Sequence, residues 1–248
     1  MTIASYPVGG TSVLDRKSII QNLLTRLRGQ TYLEIGVELG QSLLPIRAKT
    51  KLGVDPNPIV PWRGRITMAL HNLFSSEKVR LLQMTSDEFF ANRESILQGQ
   101  TIDVALVDGL HTYEQAYQDV IHCLEVLSPN GVIVMHDCNP ATERMALRAH
   151  SHAEALQVFP QDGDTRWCGD VWKSVVMLRS FHADLRTFVL DADYGLGIVT
   201  RGPSASTLPF SLAEIQPMTY NDLAAQREYL LDLRPPSAFD AFLESHLK

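Results

Sequence analysis

Leu14, Ile19, Ile20, Leu23, Leu24 and Leu27 recur at helical spacing, with Arg16, Lys17, Gln21 and Arg26 between them, and Gly29 follows. That pattern predicts a helix over 14–28 with one buried face. Beyond it come short unbroken apolar runs at 32–35, 52–55, 79–84, 102–107 and 132–136. Dense Val, Ile and Leu without alternation predicts strands buried on both faces, as in a parallel sheet. Helical spacing fills the gaps at 40–48, 61–74, 86–97 and 113–127. Thr85 with Glu88, and Thr112 with Gln115, have the spacing of a capping box at a helix start. Along the last of these helices Ala116, Val120, Cys123, Leu124 and Leu127 make one apolar stripe. Five strand–helix repeats predict a doubly wound α/β domain.

The pattern changes after 137. Residues 138–168 are polar and rich in turn formers, with Pro140, Pro160 and the run Gln161-Asp162-Gly163-Asp164. A connection of that length in a compact domain is expected to serve a function, such as a lid. A helix over 171–178 follows, then strands at 185–190 and 196–200 joined by the hairpin signal Asp191-Ala192-Asp193-Tyr194-Gly195. The segment from 203 opens with Pro and Ser and predicts two amphipathic helices, near 219–233 and 237–247.

Composition narrows the class. The 248 residues are 45% apolar and 20% charged, which suits a folded chain and excludes disorder as its main state. A net charge of −6 argues against a nucleic-acid partner, whose phosphates call for a basic footprint. No apolar run approaches the ~20 residues that span a bilayer. The opening MTIASYPVGG lacks the basic-then-apolar order of a signal peptide. The three cysteines, Cys123, Cys138 and Cys168, show neither zinc-ligand spacing nor a disulfide framework. A cytoplasmic protein with no membrane partner is therefore expected.

Open α/β sheets bind ligands beyond the carboxyl ends of their strands, so the residues after each run carry the candidate chemistry. After the first stands Glu34-x-Gly36-x-x-x-Gly40, whose glycines admit close backbone approach or serve helix–strand packing. After the second stands Asp55, 21 residues past Glu34, placed to accept from a ribose diol or to cap a turn. Thr85 and Ser86 follow the third and read first as helix caps, with a backbone lining for a base pocket as the alternative. The fourth is followed by Asp108-Gly109-Leu110-His111-Thr112-Tyr113-Glu114, with Asp108 and His111 expected in the crevice. The fifth leads into His136-Asp137-Cys138-Asn139, where strand alternation sets His136 and Asp137 on opposite faces. Asp170 and Lys173 have the spacing of a helical i,i+3 pair. Trp167 and Trp172 suit either a sugar-stacking surface or the core.

This ordered set resembles the class I S-adenosylmethionine-dependent methyltransferases over roughly residues 14–200. The likeness rests on LEIGVELGQS, LGVDPNP, IDVALVDGLHTYE and GVIVMHDCNP, with support from WCGDVWKSVVMLR and DADYGLGIVTRG. The subgroup it looks like is the small-molecule and sugar O-methyltransferases with Asp-Gly-x-His-x-Tyr-Glu. The resemblance implies an α/β fold: a doubly wound, seven-stranded, mostly parallel sheet with an antiparallel last strand and C-terminal helices. It implies one methyltransferase domain over 1–248, with a cofactor-binding half at 14–137, a lid or acceptor loop at 138–168 and a helical appendage at 203–248. The implied cofactor contacts are Glu34, Gly36 and Gly40 on the methionine part and Asp55 on the ribose, with Ser86, Asp108 and Gly109 beside them. Glu38 departs from the glycine that many members carry there.

Metal-dependent relatives hold magnesium or another divalent metal at positions that fall here on Asp108, Asp137 and Cys138. Cys138 is a poor match for a cation that prefers oxygen, and Asn139 stands next to it. Where those relatives have a catalytic Lys, this chain has His111. His111 is thus the expected general base, assisted by Asp108 and kept neutral by the helix start at Thr112. The expected reaction is O-methylation of a hydroxyl on a small molecule or sugar, with a homo-oligomer left open. Two alternatives remain. A nicotinamide-dependent oxidoreductase would share the strand–glycine–helix logic but calls for Gly-x-Gly-x-x-Gly. A catalytically inactive methyltransferase-fold binding protein would keep the cofactor site alone.

Overall fold

A computed structural model describes residues 14–158 and 165–246. In chain order the elements are α1 (Arg16–Leu27), β1 (Thr31–Ile35), β2 (Thr50–Val54), α2 (Trp62–Phe74), β3 (Lys78–Leu82), α3 (Ser86–Ala91), α4 (Arg93–Leu97), β4 (Ile102–Val107), α5 (Tyr113–Val126) and β5 (Leu127–Met135). They continue with α6 (His152–Val158), α7 (Trp172–Phe181), β6 (Leu185–Leu190), β7 (Leu196–Arg201), α8 (Leu212–Ile215), α9 (Tyr220–Leu231), β8 (Leu233–Arg234) and α10 (Ala238–His246). One sheet holds all the strands in the order β3-β2-β1-β4-β5-β7-β6-β8. β1 to β5 pair in parallel, and β7 runs antiparallel between β5 and β6. The expected seven strands are therefore present, and the two-residue β8 adds an eighth beside β6.

The unbroken apolar runs have the meaning expected of them. Leu33, Ile35, Ala105, Val107, Ile133 and Met135 enter one core, with α5, α7 and α9. Tyr32, Val104, Leu106, Val132 and Val134 enter the other, with α1 and α10. Successive residues of β1, β4 and β5 thus alternate between two cores, so each strand must be apolar on both faces. The C-terminal helices are part of this packing: Leu223, Leu230 and Leu231 lie in the first core, Phe239, Phe242 and Leu243 in the second. α2 is the exception. None of its residues is buried, and Trp62, Leu73 and Phe74 stand exposed.

Three expectations fail locally. No helix forms over 40–48. Positive φ at Gly36 (84°), Glu38 (45°) and Gly40 (74°) turns the chain out of the right-handed helical region, and Pro45 lacks an amide donor. The Thr85–Glu88 box forms, at 3.1 and 2.8 Å, but the one at Thr112 does not. There the buried Asp170 accepts from the Tyr113 amide at 3.0 Å instead, while Gln115 turns elsewhere. Residues 138–168 include a helix, α6, together with turns; 159–164 lie outside the described residues.

Strand order reverses between β1 and β4, and the crevice at such a switch point is where this architecture takes ligands.

Candidate active site

A cavity of about 900 Å³ opens at the carboxyl ends of β1, β2, β4 and β5. Its floor is the 36–40 loop. A Cβ on Gly36 would stand 2.0 Å from the Asp108 carbonyl oxygen, so only glycine lets β1 and β4 end this close together. Asp55 ties the loop down: its carboxylate accepts from the amides of Val37 (2.9 Å), Glu38 (2.8 Å) and Asn57 (2.7 Å). It lines the cavity as expected, with part of its acceptor capacity already committed to the loop. Glu34 is buried at the wall and accepts from the Tyr32 hydroxyl at 2.6 Å. Burial pushes its carboxyl up to about 8, against the pull of that hydroxyl, which favours the protonated form.

The charged end of the cavity is built from four segments. Strand alternation would separate His136 from Asp137, but β5 ends at Met135 and Asp137 takes a left-handed φ of 60°. Both side chains thereby enter the cavity, which overturns the expectation that only one would. His136 Nδ1 lies 3.2 Å from Asp108 and 3.1 Å from Asp137. Arg16, from the start of α1, places a guanidinium nitrogen 2.7 Å from His136 Nε2 and another 3.1 Å from Ser42 Oγ. Asp193, from the hairpin turn, accepts from the Arg16 amide at 3.0 Å. The two carboxylates draw the His136 pKa up, yet guanidinium only donates. The 2.7 Å contact therefore makes Nε2 the acceptor and sets the ring proton on Nδ1, between Asp108 and Asp137.

His111 Nε2 lies 3.6 Å from Asp108 and 3.4 Å from Asp137. Burial disfavours its charged form, but the two carboxylates prevail and raise its pKa. The expectation that a helix start keeps His111 neutral is overturned, because full charges at this range outweigh the partial charge of a helix end. Burial opposes ionisation of Asp108 as well, and the two histidines hold it below the usual carboxylate range. Three carboxylates, Asp108, Asp137 and Asp193, thus face the Arg16 guanidinium and the His111 ring, and with His136 neutral they outnumber the cations.

Asp108, His111 and Asp137 each offer an atom within 4.8 Å of the others, a spacing that fits a divalent cation. Their two carboxylates suit a hard ion, and the buried His111 Nδ1 has no partner. Cys138 does not join them: it is fully buried with Sγ toward the His136 carbonyl two residues back. Asn139 cannot substitute, since its side chain is held by Asp191 and Arg227.

Ser86, Gly109, Gln115 and Asp119 also line the wall. The roof comes from the 138–168 segment, through Met145, Ser151, His152 and 165–168. Trp167 packs on His111 with ring centroids 4.7 Å apart, whereas Trp172 is core. Arg148 anchors this roof to Glu114 and Asp170 at 2.9 and 3.0 Å. Lys173 sits 4.0 Å from Asp170 as the i,i+3 spacing suggested. No described residue from 203 onward lines the cavity. Sequence reasoning missed Arg16, Asp193, Tyr194, Gln115 and Asp119. Only Asp119 left a signal, an acid inside the apolar stripe of α5.

A parallel sheet with this strand order, closed by an antiparallel β7 and cupping a cavity at its switch point, defines the class I methyltransferase fold. Residues 33–138 match the family model described as a methyltransferase domain. An O-methyltransferase from Bacillus cereus, solved with S-adenosylhomocysteine, is similar at a TM-score of 0.51 and 13% identity, over 79% of this chain and 84% of that one. A Podospora anserina methyltransferase, also with S-adenosylhomocysteine bound, gives 0.50 and 16%, over 75% and 77%. An O-methyltransferase family protein from Burkholderia thailandensis gives 0.48 and 14%, over 77% of this chain and only 56% of that longer one. No curated protein sequence matches the chain. No described helix is long and apolar enough to cross a membrane.

Gly36→Ala should lower stability by roughly 1–3 kcal/mol through overlap alone, about 2–4 °C of melting temperature per kcal/mol. Thermal unfolding checks this, and an unchanged transition would mean that β1 and β4 do not meet as described.

Proposed function

We propose that the chain transfers a methyl group from S-adenosylmethionine to a hydroxyl of a small molecule or sugar, with His111 as the base. The observation that carries this reading is the excess negative charge around Asp108, Asp137 and Asp193, set beside a histidine at one end of a cofactor-sized cavity. Such an end suits a cationic sulfonium. S-adenosylmethionine, when bound, supplies an electrophilic methyl group and a neutral leaving group. The 36–40 loop, pinned by Asp55, holds the floor against which the methionine part would lie, and Glu34 and Arg16 offer it polar partners. The oxidoreductase alternative loses ground here, since the loop after β1 opens no helix that would receive a pyrophosphate.

His111 Nε2 lies between two carboxylates that hold a proton on the ring. With those charges matched by cationic ligands, the ring gives that proton up and accepts the one on the substrate hydroxyl. Asp108 then stabilises the imidazolium that forms. Asp108 and Asp137 are also the residues that would hold a divalent cation, which supplies Lewis-acid stabilisation to an alkoxide when bound. The roof from 138–168 is proposed as the acceptor lid: Trp167 shields His111 from water and offers an aromatic face to a ring-shaped acceptor. Base catalysis typically contributes 10²–10⁴-fold.

His111→Ala should therefore slow single-turnover methyl transfer to a hydroxyl panel by about 10²–10⁴-fold and leave S-adenosylhomocysteine affinity within a few-fold. Wild-type single-turnover rates in that variant would end the base assignment. For the metal, calorimetry with magnesium alone should show one site in the native chain and none in Asp137→Ala. No heat from magnesium, manganese or calcium in the native chain would remove the cation from the mechanism.

A further inference from the structure

α2 carries its apolar face on the outside. Trp62, Ile66, Leu70, Leu73 and Phe74 recur at helical spacing along one side of it, and all five are exposed, Phe74 by 83%, Leu73 by 74% and Trp62 by 66%. The side that touches the protein fixes this orientation. A Cβ on Gly64 would stand 2.9 Å from both Leu44 and Val60, and Met68 packs against the second core. Asn72 exchanges hydrogen bonds of 2.8 and 2.9 Å with the backbone of Val79 in β3. These contacts occupy the side that a helix on a soluble domain gives to its large apolar residues, and they leave those residues pointing away. Ile59, also exposed, extends the apolar surface to the lining of the cavity. An outward patch of this kind marks an interaction surface.

Charge indicates what covers it. The chain carries −6 overall, yet from Pro56 to Thr85 it holds the cations Arg63, Arg65, Lys78 and Arg80 against a single acid, Glu77. Helical spacing sets Arg63 and Arg65 at the two sides of the apolar face. Arg63 lies over the Trp62 ring, 5.3 Å from its centroid. Arg65 donates to the Val60 carbonyl at 3.1 Å, and Lys78 to the Asn72 carbonyl at 2.7 Å, near the end of α2. None of these three pairs with a carboxylate among the described residues, and Glu77 lies against His71 at 3.5 Å. An aromatic and aliphatic ridge bordered by unpaired cations suits an anionic lipid surface. A second copy laid face to face would set these cations against their own kind. An acidic protein would need a groove to receive the ridge, whereas a bilayer interface needs none.

We propose that α2 docks the protein on a membrane surface rich in anionic lipid, with Trp62, Leu73 and Phe74 in the interface and Arg63, Arg65 and Lys78 among the headgroups. A helix that lies in the interface needs no spanning run, so the lack of one along the sequence does not bear on it. The proposal does not depend on the methyl-transfer reading.

The test is co-sedimentation of the full chain with vesicles of phosphatidylcholine alone and of an equimolar mixture with phosphatidylglycerol. The native chain should partition onto the mixed vesicles at least about tenfold more strongly, and added salt should weaken that binding. Trp62 fluorescence should shift to the blue as the ring leaves water. Leu73→Ser with Phe74→Ser keeps that reporter and should abolish the shift, with the melting temperature unchanged because both side chains are exposed. Arg63→Gln should weaken partitioning about fivefold. Equal partitioning onto both vesicles would overturn the proposal, as would undiminished binding in the Leu73→Ser, Phe74→Ser chain. Should that chain fail to fold, full-strength binding by Arg63→Gln overturns it alone. Binding to neither vesicle also overturns it, and a native dimer that the same two substitutions dissolve would then give the face to a second copy.

Discussion

Negative charge gathered at the carboxyl ends of β4 and β5 is the constraint on which the site depends. Asp108 and Asp137 lie within reach of the same two histidine rings, and Asp193 approaches from a third segment. Carboxylates this close and this buried are tolerable only with cations or donors among them. The chain meets the requirement in part, with the Arg16 guanidinium, the His111 ring and the Nδ1 proton of His136. What it leaves uncompensated is available to a ligand. The selection for a cationic ligand that we propose would thus be an electrostatic property of this edge of the sheet, present before any substrate contact is considered.

The backbone around this cluster is shaped to deliver it. Left-handed φ at Asp137 swings a side chain into the cavity that a regular strand would have turned away. Gly169, at φ 65°, lies against the His111 carbonyl, where a Cβ would approach to 1.9 Å, and so brings Trp167 onto the His111 ring. The roof is held at one side by Arg148 on Asp170 and Glu114. At the other, α9 holds its root through Tyr220 and Arg227, which donate to the carbonyls of Ala141 and Pro140. The C-terminal helices therefore influence the site by anchoring the roof, without contributing to the cavity wall.

Much of this was legible in the sequence, for identifiable reasons. Central strands buried on both faces must be apolar throughout, so 32–35 and 102–107 read correctly, and 132–136 found the apolar part of β5 with one residue too many at its end. Residues next to strand ends were found because the fold dictates where ligands sit: Glu34, Gly36, Asp55, Asp108, His111 and Asp137 all line one cavity. Arg16 and Asp193 were illegible because they come from segments 177 residues apart whose own patterns signal only a helix start and a hairpin turn. The helix expected at 40–48 failed because apolar spacing takes no account of φ, which the glycines and Glu38 set. The Thr112 cap failed because Asp170, 57 residues from Tyr113, offered a charged acceptor that no local pattern announces.

A crystal structure of the chain with S-adenosylhomocysteine bears most directly on the account. The ligand should span the cavity, with its amino-acid end over the 36–40 loop and its sulfur facing the side of His111, Asp108 and Asp137. A ligand bound in the reverse direction, or outside this cavity, would contradict it.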